Sequence, residues 1–347
     1  DGGLPICTVE VEIIDSSTFS PGGEATPVSR TSKRLCDGAI SAGSDGTCAL
    51  VEGRPWCWGS DRYGQVGLAI DGRYSFLKKV GQGSFGEVWQ MWDNELNEEV
   101  AAKLLNQEMV NKPAVTDFKR EVQKTRKLSH DNIVRIFDLC AFPGEPPFLT
   151  MEYINGQSLE SRRMNRAGNR FPWMELQHLV DQLCNAVSYI HEKGVVHRDI
   201  KPSNILITNE QQVKLGDFGC ARSMIISRFT MDQYAEKGNL VLTGTLVYMS
   251  PQMLEGEEPA ASDDIYAIGA MLYELLTGQT PFSWRQKQED LMEEIINVSP
   301  PPPGHVFEQQ GVTSPIPDHV SAMIMSCLNK DPAKRPGNAK LITAQFY

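Results

Sequence analysis

The stretch VVHRDIKPSNILITNEQQVKLGDFG, at residues 195–219, constrains the fold of this chain more than its other segments do. Two short runs rich in β-branched residues, ILI and VKL, flank a polar turn and predict a β-hairpin. A turn centred near residues 210–211 would place Asn204 opposite Asp217 at the open end, with Asp199 shortly before. Oxygen ligands at such a point suit Mg²⁺, which proteins hold together with substrate phosphates. For the hairpin alone, the alternative that these are ordinary turn residues stays open.

The same stretch contains the string H-R-D-x-K-x-x-N at residues 197–204, followed by D-F-G at residues 217–219. This combination resembles the protein kinase signature, and with the upstream matches below the resemblance covers residues 72–347. It implies an α+β fold of two lobes, preceded by a short β-rich segment. The β-rich small lobe would occupy residues 71–154 and the α-rich large lobe residues 155–347.

Three strands joined by sharp turns are predicted between residues 73 and 105, and they would form part of the small lobe. GQGSFGEV at residues 81–88 matches G-x-G-x-x-G-x-V. Because the stretch after it is strand-like, it fits a hairpin flap over phosphates better than a dinucleotide-binding turn. The run VAAK, which ends at Lys103, resembles the strand whose lysine contacts the α- and β-phosphates. Glu121, on a helix predicted to run to Leu128, is the match for the carboxylate that pairs with this lysine.

The resemblance also implies which residues contact ATP. Met151 would limit the back of the adenine pocket, and the backbone of Glu152 and Ile154 would bond the adenine edge. Asn204 and Asp217 would hold Mg²⁺. The full set of implied nucleotide contacts is Gly81, Gly83, Gly86, Val88, Ala101, Lys103, Met151, Glu152, Ile154, Leu206 and Asp217.

The implied chemistry is phosphoryl transfer to a hydroxyl group. Asp199 would accept the proton of the substrate hydroxyl, and Lys201, a residue typical of the Ser/Thr-specific subgroup, would neutralise charge on the γ-phosphoryl group. GTLVYMSP, from Gly244 to Pro251, resembles the substrate-docking stretch, in which Thr245 bonds both of these residues. The catalytic residues implied in this way are Asp199, Lys201, Lys103, Glu121, Asn204, Asp217 and Thr245.

Hydroxyl residues are frequent in the activation segment, residues 217–252. Arg198 precedes the catalytic Asp, so a phosphate on this segment would have a cationic partner. We therefore expect autophosphorylation, with Thr243 as the first choice and a homodimer as the arrangement for transfer in trans. The alternative is that these hydroxyls are ordinary residues of a flexible loop.

Two positions depart from the kinase pattern. Thr125 stands where an apolar residue of the internal spine is common, so its hydroxyl needs a partner. Gln252 stands where the pattern places Glu, whose partner would be Arg335. Gln can bond Arg335 but leaves its charge uncompensated, which predicts a weaker anchor. A Gln at this place is typical of bacterial kinases of the eukaryotic type, and we expect a bacterial origin.

Two helices of the large lobe follow from apolar periodicity. The first runs from Trp173 to Lys193 with Gly194 as its stop. The second is predicted to be capped by Ser262 and to end at Gly278. Asp264 in its first turn suits the helix dipole without any function. The resemblance also implies that Asp264 reaches the backbone of the His-Arg turn at residues 197–198 and holds the catalytic loop, which contains Asp199.

The first 70 residues carry a different pattern. Residues 7–13 alternate apolar and polar side chains and predict a strand. Residues 16–33 are rich in Ser, Thr, Gly and Pro, so residues 1–34 are predicted to be a strand followed by a flexible linker.

A second pattern in this region begins at residue 40. Two short strands are predicted at ALV and WCW, around a Glu52-Gly53 turn. The segment resembles one unit of the regulator-of-chromosome-condensation repeat family, whose blades form propellers. A single copy is present, and because about three repeats are needed for stability, residues 35–70 are predicted to be a remnant.

Composition limits the classes of function. The net charge of −11 argues against a nucleic-acid binder, which needs a basic surface. The sequence contains no run of about 18 apolar residues, the length that would predict a membrane-spanning helix. The chain lacks an initiator Met and a signal segment, so we expect a fragment or processed form.

The eight cysteines show no paired spacing typical of zinc sites. An ATP-using domain implies a reducing cytosol, which predicts a cytoplasmic location and free thiols, with a Cys48–Cys57 bridge as the alternative.

The favoured hypothesis is a Ser/Thr protein kinase that uses Mg-ATP and acts on protein substrates. One rival is a pseudokinase or scaffold that binds partners without transfer. Its usual marker is loss of Lys103, Asp199 or Asp217, and all three are present. A second rival is a small-molecule phosphotransferase of related fold, which the docking stretch and Lys201 disfavour.

Overall fold

The computed structural model describes residues 9–14, 27–33, 40–43, 46–51, 54–58, 69–70, 72–83, 86–105, 122–141, 147–217, 246–282, 288–311 and 316–346. The chain divides into two compact units. The first contains residues 1–107 and 139–153, and the second contains residues 108–138 and 154–347. Among the described residues, the first unit contains strands and their turns and the second mainly helices, as the predicted α+β fold class requires.

The N-terminal part of the first unit contains two small antiparallel sheets. Their strands are β1 (Val9–Ile14), β2 (Pro27–Lys33), β3 (Ile40–Gly43), β4 (Gly46–Val51) and β5 (Arg54–Trp58). The predicted first strand is confirmed, and so are the two strands flanking Glu52-Gly53. The prediction of a linker is wrong for β2, which pairs with β1 from Val9↔Lys33 onward. Val28 and Thr31 are β-branched residues, which favour a strand. Pairing with β1 also satisfies backbone N–H and C=O groups, a requirement that the content of Ser and Pro does not reveal.

The main sheet of the first unit has six strands in the order β10-β11-β9-β8-β7-β6. The bounds of these strands are β6 Ala69–Ile70, β7 Tyr74–Gly83, β8 Gly86–Asp93, β9 Glu98–Leu105, β10 Ile136–Cys140 and β11 Phe148–Glu152. Buried side chains recur along β8 at Trp89, Met91 and Asp93, the alternation expected of a strand with one covered face. The predicted hairpin is confirmed, because β7 and β8 pair up to Gly83↔Gly86.

A partly buried ion pair lies at the open end of the β7–β8 hairpin. Asp93, 1% exposed, accepts hydrogen bonds from Arg73 Nε at 3.0 Å and Nη2 at 2.8 Å. It also accepts the backbone N–H groups of Glu95 and Leu96, which stabilises the turn to β9. Burial acts to raise the pKa of Asp93, but the bonds from Arg73 and the two N–H groups outweigh it and the pKa is lowered.

Replacing Asp93 with Asn should therefore destabilise the protein by about 1–3 kcal/mol at pH 7. A carboxyl whose pKa is lowered in the folded state stabilises it above the ordinary value of 3.8, and this stabilisation is lost as pH falls through the lowered value. The difference in melting temperature between wild type and Asp93→Asn should shrink over that range in thermal scans from pH 7 downward. Asp138→Asn, in an exposed pair with Arg126, is the control and should change little. A difference independent of pH would contradict the assignment.

Within its described residues, the second unit contains a short helical segment at residues 122–125 and eight further α-helices. These helices are α1 Leu159–Met164, α2 Trp173–Glu192, α3 Pro251–Leu254, α4 Ala261–Thr277, α5 Gln288–Asn297, α6 Pro303–Gln309, α7 Asp318–Cys327 and α8 Lys340–Thr343. The hydroxyl of Thr125, predicted to need a partner, donates to the carbonyl of Val122 at 3.3 Å. The helix predicted to reach Leu128 gives way to a turn at residue 126.

Two helices form the core of the second unit. The prediction for α2 is confirmed, with Leu176, Val180 and Leu183 among its buried residues. In α4 every residue from 263 to 277 is buried, and Gly278 ends the helix with a φ of 78°, which favours glycine. The predicted cap at Ser262 is wrong. The helix begins at Ala261, two residues earlier than that cap would place it, and the Asp263 carboxylate accepts the N–H of Ala260 at 2.8 Å.

A three-stranded sheet, β12 (Gly156–Ser158), β13 (Ile205–Thr208) and β14 (Val213–Leu215), contains the predicted hairpin. Its register differs by one residue from the prediction. Thr208 N donates to Gln212 O at 2.9 Å, which leaves a three-residue loop centred on Glu210, with Gln211 at a φ of 64°. Asn204 consequently lies opposite Gly216, whose N–H donates to Asn204 O at 3.0 Å.

None of the helices within the described residues combines the length and the apolar character needed to cross a bilayer. Cys140, Cys184 and Cys327 are free thiols, as predicted. Backbone register places Cys48 opposite Cys57, and the bridge between them stays untested.

Candidate active site

The loop between α2 and β13 brings Asp199, Lys201 and Asn204 together. Asn204 Nδ2 donates to the backbone carbonyl of Asp199 at 2.7 Å and to its Oδ2 at 2.9 Å. Lys201 Nζ lies 2.9 Å from the same Oδ2. Asp199 and Asn204 are each 7% exposed, so these contacts are made with little competition from water. The carboxylate of Asp199 is thus held in one orientation beside a cation.

His197 supports this loop from within the core. It is fully buried, its Nε2 lies 3.0 Å from the carbonyl oxygen of Gly216, and its Nδ1 accepts the N–H of Asp199 at 3.2 Å. A carbonyl only accepts and an N–H only donates, so Nε2 carries the proton and the ring is neutral. Burial lowers the pKa of His197, which agrees with the neutral form.

Asp264 at the start of α4 fixes the turn before Asp199. Its Oδ2 accepts the N–H of His197 at 2.8 Å, and its Oδ1 accepts the N–H of Arg198 at 2.9 Å. His191 Nε2 also lies 2.8 Å from Oδ2. Arg198 has a φ of 69°, a conformation that a non-glycine residue keeps only when its surroundings enforce it. The predicted contact of Asp264 with the His-Arg turn is confirmed.

Asp217 follows β14 directly and has a φ of 54°. Its neighbour Gly216 is bonded to Asn204 on one side and to His197 on the other. The side-chain nitrogen of Asn204 donates to Asp199. The side-chain oxygen of Asn204, at the other end of the amide, is therefore the end that can act as a ligand. An amide oxygen and a carboxylate are ligands that suit Mg²⁺ together with phosphates, so these residues fit the implied ion.

The predicted nucleotide contacts of the first unit lie on its main sheet. Lys103 on β9 is flanked by Val88 on β8 and by Leu149 on β11. Ala101 pairs with Met151, and Glu152 ends β11. Gly81, Gly83 and Gly86 lie on the two arms of the β7–β8 hairpin. In the second unit, Leu206 lies on β13 and Ile154 precedes β12.

Three predictions fall on residues outside the described part of the chain. These residues are Glu121, Thr243 and Thr245, and the Phe-Gly pair after Asp217 lies there too.

A buried polar cluster that includes Tyr248, a residue of the GTLVYMSP segment, was missed by sequence reasoning. The hydroxyl of Tyr248 donates to Glu274 of α4, and Glu274 Oε1 lies 3.2 Å from Arg163 Nη2 of α1. Arg163 also contacts Glu160 at 3.0 Å. Burial raises the pKa of Glu274 and of Tyr248. A single carboxylate within the apolar run of α4 was the available signal, because such a group needs partners.

The anchor at Gln252 differs from the expectation. Arg335 Nη2 donates to Gln252 Oε1 at 2.6 Å, as predicted. The charge of Arg335 is not left uncompensated, because Asp263 Oδ1 lies 3.8 Å from its Nη1 and both side chains are buried. Asp263 Oδ1 also accepts the hydroxyl of Ser250 at 2.6 Å. The carboxylate that the motif lacks is thus supplied by α4.

Comparison with known proteins agrees with this geometry. A family model described as the protein kinase domain matches residues 74–347. The Corynebacterium glutamicum protein named probable serine/threonine-protein kinase PknB is 32% identical over 283 residues, 80% of this chain and 42% of that protein. Serine/threonine-protein kinase PknA of Mycobacterium tuberculosis is 32% identical over 279 residues, 78% of this chain and 60% of that protein. The chain therefore spans less than two thirds of either relative.

Among solved structures, the crystal structure of the Mycobacterium tuberculosis PknI kinase domain is similar in fold. It has a TM-score of 0.61 and 22% sequence identity, and the match covers 81% of this chain and 97% of that chain. A double mutant of the same domain gives a TM-score of 0.62 at 20% identity. These likenesses show the two-lobed α+β kinase fold.

Proposed function

Because this chain belongs to the protein kinase domain family, we propose that it transfers the γ-phosphoryl group of ATP to Ser or Thr hydroxyls of proteins. The observation that carries the proposal is the contact of the Asp199 carboxylate with both Asn204 and Lys201. The relatives named as serine/threonine-protein kinases support the class of acceptor.

In this proposal Asp199 accepts the proton of the substrate hydroxyl as the oxygen attacks phosphorus. Asn204 and Lys201 hold its carboxylate in place, so the base is oriented before substrate binds. The ammonium of Lys201 lies beside the base, where negative charge on the moving phosphoryl group develops. General base catalysis of this kind contributes about 10²–10⁴-fold, and positioning with charge stabilisation supplies the rest.

The nucleotide and ion sites are part of the same proposal. Lys103, paired with Glu121, would contact the phosphates, and Thr245 would bond Asp199 and Lys201. Asn204 and Asp217 would hold Mg²⁺, which, when bound, neutralises charge on the phosphate oxygens. The adenine would lie against the residues assigned by resemblance, Met151, Glu152 and Ile154 among them.

The proposal is tested with ATP labelled at the γ-phosphate and a generic basic protein as acceptor, with and without Mg²⁺. Label should pass to Ser and Thr of the acceptor for the wild-type chain, and Lys103→Met should abolish the transfer. No transfer by the wild-type chain, with ATP still bound, would favour the pseudokinase or scaffold. Transfer to a small-molecule acceptor instead would favour the phosphotransferase.

Further features are proposed on the same basis. We propose autophosphorylation within residues 217–252, with Thr243 first and a homodimer for transfer in trans; mass spectrometry that finds no phosphate there after incubation with ATP would overturn it.

Residues 1–34 and 35–70 are proposed as accessory to a kinase domain at 71–347, the second as a single propeller-type repeat. Retained partner capture after deletion of both would count against a binding role. A cytoplasmic location and a bacterial origin are proposed from the chemistry and the relatives.

A further inference from the structure

The segment at residues 131–134 adds a backbone partner to the outer edge of β14. Leu215 N donates to Asn132 O at 2.8 Å, and Val134 N donates to Leu215 O at 2.9 Å. Ile133 is bridged to Leu215 in the parallel sense. Since β13 pairs with the other edge, β14 has backbone partners on both sides at its last residue, Leu215.

Two side-chain amides join this segment to β14 and to α2. Asn132 Nδ2 donates to Val213 O at 2.9 Å and to Gln182 Oε1 at 3.0 Å. Gln182 Oε1 also accepts the N–H of Val213 at 2.9 Å, and its Nε2 donates to Gln211 O at 3.1 Å. Each amide faces a backbone group that can act in one way only, so the orientation of both amides is determined by the main chain.

The strand held in this way leads directly to Asp217. Gly216, between them, donates to Asn204 O at 3.0 Å. A Cβ added to Gly216 would lie 3.2 Å from Val134 Cγ2, so the buried Val134 packs closely on the backbone at this point. A slip of β14 by one residue would exchange the faces of its side chains and displace Asp217 relative to Asn204.

We propose that Asn132 and Gln182 are positioning residues for the metal-binding pair Asn204 and Asp217. Their amides bond both the N–H and the C=O of Val213, which fixes the register of β14 at its first residue, three residues before Gly216 and four before Asp217. This inference rests on the proposed function and extends it to residues that touch neither nucleotide nor ion.

The test measures binding of a non-hydrolysable ATP analogue by calorimetry, with and without Mg²⁺. The ratio of the two dissociation constants gives the contribution of the metal separately from that of the nucleotide. Gln182→Met keeps the side-chain length but removes the acceptor for Val213, and it should reduce the ratio about tenfold, the lower end for residues that support metal ligands. Gln182→Glu restores the acceptor oxygen and should recover most of the ratio.

Gln212→Met is the matched control, because Gln212 Nε2 bonds the same segment at Asp131 O, at 3.3 Å, whereas the amides of Asn132 and Gln182 bond Val213 itself. It should leave the ratio unchanged. Asn132→Ser, which leaves the Gln182–Val213 bond in place, is the milder variant should Gln182→Met fail to fold, and it should change the ratio in the same direction. A wild-type ratio retained in whichever variant folds would overturn the positioning role. A wild-type chain that binds the analogue equally well without Mg²⁺ would overturn the metal assignment as well.

Discussion

Replacing Asp199 with Asn should lower kcat/KM for transfer to protein by about 10³-fold, within the range for loss of a general base. The amide has the same shape as the carboxylate, and its oxygen can still accept from Asn204 Nδ2 and Lys201 Nζ. The loop should therefore keep its conformation while the group proposed to receive the proton is lost. The measurement is steady-state transfer of labelled phosphate, with analogue binding and melting temperature recorded beside it.

Glu210→Gln provides the control for this substitution, because it makes the same carboxylate-to-amide change at the exposed tip of the β13–β14 hairpin. It should transfer phosphate at the wild-type rate. An Asp199→Asn variant that keeps more than about a tenth of wild-type kcat/KM would show that Asp199 is not the base, since general base catalysis contributes at least about 10²-fold. A loss accompanied by a lower melting temperature would point to a structural role instead.

Replacing Asp264 with Asn should both destabilise the protein and slow transfer. The two oxygens of Asp264 accept two backbone N–H groups of the catalytic loop and contact His191, and Asp264 is 1% exposed. An amide supplies one oxygen, so at least one buried N–H group faces an NH₂ group and loses its partner. The expected cost is about 1–3 kcal/mol. Release of Arg198 from its left-handed conformation should lower kcat at least about tenfold, since a barrier increase of 1.4 kcal/mol has that effect.

Asp290→Asn separates this role from that of the helix dipole. Asp290 lies in the first turn of α5, as Asp264 lies in the first turn of α4, but Asp290 is exposed. A charge that acts on the dipole alone contributes about 0.3–1 kcal/mol in either place. Equal small effects of the two substitutions on melting temperature and kcat would refute the loop-holding role of Asp264. Hydrogen exchange at the amides of His197 and Arg198 should accelerate in Asp264→Asn only.

Much of the local structure was predictable because it depends on neighbours in the chain. The periodicity of α2 and α4, the stop at Gly278 and the hairpins of the first unit all follow from patterns a few residues long. The errors lie where two local solutions are similar in energy. A three-residue loop instead of a symmetric turn moved the hairpin register by one residue, and α4 begins two residues earlier than a cap at Ser262 would place it, with the Asp263 side chain bonding the N–H of Ala260.

The candidate site was predictable in part for a different reason. Asp199, Lys201 and Asn204 are separated by only a few residues, so their spacing within one motif anticipates that they meet. The partners of Arg335 were not predictable in this way. Asp263 lies far from Arg335 in sequence, and the motif position that should hold a carboxylate holds Gln252. Only packing of α4 shows which acidic residue replaces it.

By itself, the sequence determined the class of fold, the hairpin with its flanking polar residues and the identity of the loop between α2 and β13, because these depend on short-range periodicity and on fixed motif spacing. The tertiary structure alone decided the contacts between distant segments: Asp264 with the catalytic loop, Tyr248 with Glu274, and Asn132 with Gln182 and Val213. Such pairs form when packed helices and strands bring buried polar groups within bonding distance. No local pattern specifies that outcome, because each group could satisfy its hydrogen bonds with several alternatives until the surrounding core excludes them.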